Sequence, residues 1–260
     1  MRRLEWSRAV GVMLLAGTLV LAVGCTGARQ SPTPKPIEKD AKYSVRLARS
    51  LFDGGRVSEA LAELEQATER FPDDASLYNA YGSFLWTAGR SEQALAAFTR
   101  VLEIDPYFTD AHNHLGVVYL GQKDYGRSES EFKKALEDPA YPTPHFVYLN
   151  LGQLYAEQGR NDEAITAMSK SVGIDPGFFK AHFHLASLLD EIGQLIEAAR
   201  EYEVAEPAFR NDGEYWYRRG FAYYRLGETG KARDSLLRVR SIAPGSESAA
   251  RADELLSVLD

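Results

Sequence analysis

A pattern of small residues and proline recurs along this chain about every 34 residues, and it constrains the fold more tightly than anything else in the sequence. It is plainest in 75–108, ASLYNAYGSFLWTAGRSEQALAAFTRVLEIDPYF. With a small residue at the eighth place, another at the twentieth and proline at the thirty-second, six copies align, starting at Ala41, Ala75, Thr109, His145, Phe179 and Gly213. The eighth place holds Ala48, Gly82, Gly116, Gly152, Ala186 and Gly220, and the twentieth holds Ala60, Ala94, Ser128, Ala164, Ala198 and Ala232. A unit this short cannot bury its own apolar face and must stack on its neighbours.

Small residues at both places let two helices cross closely, and bulky ones fill the remaining gaps. Leu47, Tyr81, Leu115, Leu151 and Leu185 recur at the seventh place; Leu64, Phe98, Phe132, Met168, Tyr202 and Leu236 at the twenty-fourth. Gly55, Gly89, Gly159, Gly193 and Gly227 suit left-handed caps between the helices of a pair, with Lys123 standing in the third copy. Pro72, Pro106, Pro176 and Pro244 end the second helices, while the fifth copy has Arg210 instead. These spacings resemble the tetratricopeptide repeat. The expectation is an all-α, right-handed superhelix of six repeats over 41–245, closed by a capping helix within 246–260. There Ala249, Ala250, Leu255, Leu256 and Leu259 form the apolar stripe, and Ser246 or Ser248 caps the start.

The chain opens differently. Arg2, Arg3 and Arg8 precede an uncharged run from Ala9 to Val23, too short for the roughly 20 residues of a membrane span and suited to an export signal over 1–24. Leu21-Ala22-Val23-Gly24-Cys25 resembles a bacterial lipobox, which implies lipid attachment at Cys25. Each buried methylene of an acyl chain contributes about 0.8 kcal/mol, so the anchor needs no basic surface. A polar, proline-bearing tether, TGARQSPTPKP, follows within 25–40. Thr26 stands where Asp would favour the inner membrane in such lipoproteins. The resemblance therefore implies an outer-membrane location facing the periplasm.

The formal charge of −7 and the absence of long basic runs exclude a protein that wraps nucleic acid. The single cysteine excludes an internal disulfide framework and a multi-thiolate metal site. No glycine-rich phosphate loop or nucleophile elbow is present. His112 and His114, like His182 and His184, are two apart on expected helices and point some 200° away from each other, so neither pair clamps one metal. His145 reads as a surface histidine, and Glu129, Glu131, Asp162 and Glu163 read as solvated helix faces or caps. No enzyme, cofactor or metal is expected.

Binding remains. The second, fifth, ninth and twelfth places of each first helix line the groove in this kind of array. They give Val45, Phe52, Trp86, Phe146, Leu149, Phe183, Tyr217, Phe221 and Tyr224 as candidates to receive an amphipathic or extended protein segment. The alternative is that these side chains pack on neighbouring helices. Between the third and fourth copies the step is 36 residues, and Glu137-Asp138-Pro139-Ala140-Tyr141-Pro142-Thr143-Pro144 is followed by Asn150-Leu151-Gly152. This junction, with the lipobox, the tether and the six copies, resembles the type IV pilus pilotin lipoproteins, the PilF, PilW and Tgl family. The resemblance implies a non-catalytic partner of the pilus secretin that helps it reach the outer membrane and form its ring, with Val45 and Phe52 in the receiving patch. A general periplasmic adaptor, recruiting peptidoglycan hydrolases or outer-membrane assembly factors, is the alternative.

Overall fold

The computed structural model describes residues 40–259, so the expected signal, Cys25 and nearly all of the tether lie outside the described residues. Thirteen α-helices follow one another, and no strand occurs among the described residues. They are α1 (Ala41–Asp53), α2 (Val57–Arg70), α3 (Ala75–Thr87), α4 (Ser91–Ile104), α5 (Thr109–Gly121), α6 (Tyr125–Ala135) and α7 (Pro144–Glu157). Then come α8 (Asn161–Ile174), α9 (Phe179–Glu191), α10 (Leu195–Phe209), α11 (Gly213–Leu226), α12 (Thr229–Ile242) and α13 (Glu247–Leu259). Odd and even helices pair from α1–α2 to α11–α12, and each pair packs on the next.

The small residues sit where the helices of a pair touch. A Cβ added at Gly116 would come within 2.5 Å of the Phe132 ring, and one at Gly152 within 2.4 Å of Met168. Larger side chains there would hold the pair apart, and Phe132 would lose the full burial that is worth about 1.5–3 kcal/mol. The twentieth place is equally closed: Ala60, Ala94, Ala164, Ala198 and Ala232 are all 0% exposed. Ser128 takes that place in the third copy and donates its hydroxyl to the Gly116 carbonyl at 2.7 Å, which satisfies an otherwise buried polar group.

The turn glycines at 55, 89, 159, 193 and 227 all have positive φ. Lys123 adopts the same left-handed geometry with φ of 59°, so the third copy makes this turn at some steric cost. At the end of the fifth copy, α10 continues through Pro207 to Phe209, and side chains of the sixth copy close it. The Trp216 indole N–H donates to the Arg210 carbonyl at 3.0 Å, and the Tyr215 hydroxyl donates to the Tyr202 carbonyl at 2.6 Å. Ser246 caps α13 by accepting from the Ala249 amide at 3.1 Å. Helix α13 begins 34 residues after α11, so it stands where the first helix of a seventh copy would.

The proline-bearing junction folds back onto the array. Tyr141 is 8% exposed, and its hydroxyl donates to Asp110 Oδ1 at 2.7 Å, tying the extra residues to α5. Pro144 is then the first residue of α7, where its missing N–H costs no helical bond.

Candidate functional site: the inner face of the first helices

Across the middle copies the inner face is held together by its own polar groups. The His114 ring meets Asn79 Oδ1 at 2.9 Å, Asn150 Nδ2 donates to Asn113 Oδ1 at 2.9 Å, and Gln153 Nε2 lies 3.1 Å from the His184 ring. Each bond joins first helices of successive copies. Burial lowers His114, and burial together with Lys180 and Arg218 lowers His184 to about 4, so both rings are neutral at neutral pH. His112 and His182 face the other way, each onto a glutamate of its own second helix, Glu131 at 2.6 Å and Glu201 at 2.5 Å. Among the described residues no cluster of three metal-ligating side chains exists.

Several sequence expectations are corrected here. Leu149 is 2% exposed in a cluster with Ala181 and Leu185, because α9 of the next copy covers it; it does not line an open groove. His145 is no surface histidine: its side chain is 13% exposed, with its ring 4.2 Å from that of Phe146 and 5.2 Å from that of Phe178. Glu129 and Glu131 are not solvated faces. Burial would raise Glu129, but bonds from Lys133, Arg160 and Tyr155 outweigh it and hold the carboxyl at about 2. Burial likewise opposes the bonds from His112 and Lys134 to Glu131, and the bonds again prevail, so this carboxyl also lies below its usual range.

The remaining candidates fall into separate groups. Val45, Phe52 and Trp86 are half-buried in the core of the first copies; Phe52 meets Phe84 edge-on at 5.2 Å, and Trp86 lies against Gly121. Phe146 is 41% exposed beside Phe178. Phe183 stacks on Phe209 at 4.8 Å within the packing of the fifth and sixth copies. Tyr217, Phe221 and Tyr224 come together as a ridge along α11, with ring centroids 6.1 and 6.4 Å apart.

Two residues missed by the sequence reading frame that ridge. Arg251 of α13 lies 3.9 Å over the Tyr217 ring, and Arg225 donates from Nη1 to both the backbone oxygen and Oδ1 of Asp190, each at 2.7 Å. Arg251 was within reach, because one further period from Tyr217 lands on it. Nothing in the spacing pointed to Arg225.

Models of the tetratricopeptide repeat match residues 45–107, 109–137, 155–220 and 213–246, together most of the chain. The chain belongs to the tetratricopeptide repeat proteins. Such proteins are in general non-catalytic, and the fold points to protein–protein interaction. Among relatives of known sequence, "TPR repeat-containing protein YpiA" of Bacillus subtilis is 26% identical over 196 residues, 73% of this chain; the chain spans only 44% of YpiA. "Type IV pilus assembly protein PilF" of Pseudomonas aeruginosa is 23% identical over 237 residues, covering 87% of this chain and 92% of PilF. Among solved structures, PilW, described as a widely conserved type IV pilus biogenesis factor, superposes with a TM-score of 0.73 at 24% identity, over 85% of this chain and 98% of PilW. At that identity the superposition speaks for the tetratricopeptide fold.

Proposed function

We propose that this chain is a tetratricopeptide adaptor of type IV pilus biogenesis, a pilotin that binds the secretin subunit and promotes its arrival and ring assembly at the outer membrane. The observation that carries the reading is extent. Alignment with PilF takes in 87% of this chain and 92% of PilF, whereas YpiA is matched over less than half its length. The lipobox-like Leu21–Cys25 fits the same role, because a lipid on Cys25 would hold the array against a membrane without a basic surface. Among the described residues no helix is long and apolar enough to cross a membrane.

The test is affinity capture with the full chain from detergent-solubilised envelopes, paired with intact mass of the purified protein. Secretin in the eluate and an acylated N-terminal cysteine are the expected results. Recovery of peptidoglycan hydrolases or outer-membrane assembly factors, with secretin absent, overturns the pilotin reading.

A further inference from the structure

The inner face changes character over its last copies. At the ninth place of the fourth and fifth copies stand Gln153 and Ser187, and at that of the sixth stands Phe221. A cavity of 340 Å³ opens between α7 and α9, with Gln153, His184 and Ser187 among its walls. Since α11 packs on α9, the aromatic ridge of the sixth copy adjoins it.

The cavity is acidic at its mouth. Glu157 and Glu191 line it. The Glu157 carboxylate accepts a long bond of 3.3 Å from the Tyr125 hydroxyl, and Glu191, 69% exposed, has Arg218 no nearer than 4.0 Å. His184, neutral through burial and the nearby Lys180 and Arg218, adds no positive charge of its own; Arg218 is held by Glu214 at 2.9 Å, and Lys180 is the cation that opposes the glutamates. The nearby Asp190 is already engaged by Arg225. Two carboxylates at the mouth thus stand ready to meet an incoming cation, next to the half-buried rings of Phe221 and Tyr224 and that of Tyr217, which Arg251 covers on one face.

We propose that the fourth to sixth copies form a two-part site for an amphipathic partner helix. The apolar stripe of that helix lies on Tyr217, Phe221 and Tyr224, and a lysine or arginine at one end of the stripe enters the cavity between Glu157 and Glu191. Charge complementarity selects a basic end over an acidic one, and the rings supply contact area at low entropic cost. The inference deepens the adaptor reading: it rests on the array binding a protein segment, and not on that segment belonging to a secretin.

The probe is a labelled synthetic helix of about four turns with a leucine stripe and two lysines at one end, compared with a version carrying glutamine in place of both lysines. Fluorescence anisotropy with the full chain gives an expected preference of about tenfold for the lysine peptide. In the Glu157→Gln, Glu191→Gln double variant this preference disappears while the glutamine peptide binds as before. Phe221→Ser weakens both peptides alike, with circular dichroism confirming unchanged helicity. Equal binding of the two peptides by the wild-type chain, or a preference that survives the double variant, overturns the proposal. If the charge preference is found and envelopes yield no secretin, the secretin reading falls and this one stands. Secretin capture without any charge preference has the opposite meaning.

Discussion

The first, third and fifth copies fill the space beside their fourth place in one way, and the second, fourth and sixth in another. In the odd copies Ser44, His112 and His182 bond to Glu63, Glu131 and Glu201, each nineteen residues on, at 2.7, 2.6 and 2.5 Å. In the even copies Tyr78, Tyr148 and Trp216 stand there instead, under Arg100, Lys170 and Arg238 at 5.9, 5.4 and 5.9 Å. The glutamate position then becomes Ala97, Ala167 or Ser235, which leaves room for the ring. One backbone thus accommodates a polar pair or a cation-covered ring. The choice is made jointly by residues far apart in sequence, so the copies are alike in pairs more than singly.

If that holds, breaking the ring type costs most. Trp216 is 9% exposed, and Trp216→Ala is expected to lower stability by about 3–5 kcal/mol through lost burial and a cavity. Thermal and urea unfolding followed by circular dichroism measure it, and a loss below 1 kcal/mol would show that the ring does not fill the slot.

A mixed slot should come next. Ala167→Glu places a carboxylate beneath Tyr148 without the histidine that pairs with it in the odd copies. Lys170, one turn on, offsets only part of the burial cost, so the expected loss is about 1–3 kcal/mol. Adding Tyr148→His recreates the odd-copy pair and should return part of that loss. A double-mutant cycle with no favourable coupling would mean that the alternation is incidental.

Acid sharpens the comparison, since the odd copies carry carboxylates at this slot. Glu131 has a folded pKa below its unfolded value of about 4.3, so its contribution is complete above that pH and is lost as pH falls through the lower, folded value. Glu131→Gln should therefore destabilise at neutral pH and flatten the dependence of stability on pH below about 5, whereas Lys170→Gln in an even copy should leave the acid limb unchanged. Identical acid limbs for Glu131→Gln and the parent chain would contradict this assignment. The smallest effect is expected for Arg238→Gln, about 0.5–1 kcal/mol, the range of a cation–π contact near the surface.

Much of the architecture could be read from residues that recur because backbone geometry demands them. Gly116 and Gly152 announce close helix crossings, and Gly89 or Gly159 announces a left-handed turn, whatever surrounds them. The alternation was hidden because the fourth place looks variable until its partner, nineteen or twenty-two residues later, is known. The same reason limits the candidate site. Leu149 and Tyr217 both hold a fifth place, yet α9 buries one and Arg251 merely roofs the other, a difference decided by the following copy. The burial of His145 depends on Phe178, and that of Glu131 on His112, neither of which its own helix reveals.

Helix α13 keeps the spacing of a first helix but breaks the pattern of its small residues. Counted as the start of a seventh copy, it places Glu254 at the eighth position, where every earlier copy has glycine or alanine. That side chain is exposed. Another helix pair, or the blunt end of a second molecule, could continue the stack only by pressing its backbone onto this carboxylate and stripping it of water. The carboxylate gives this side of α13 a surface that resists the close helix contact made at the eighth place of every copy before it.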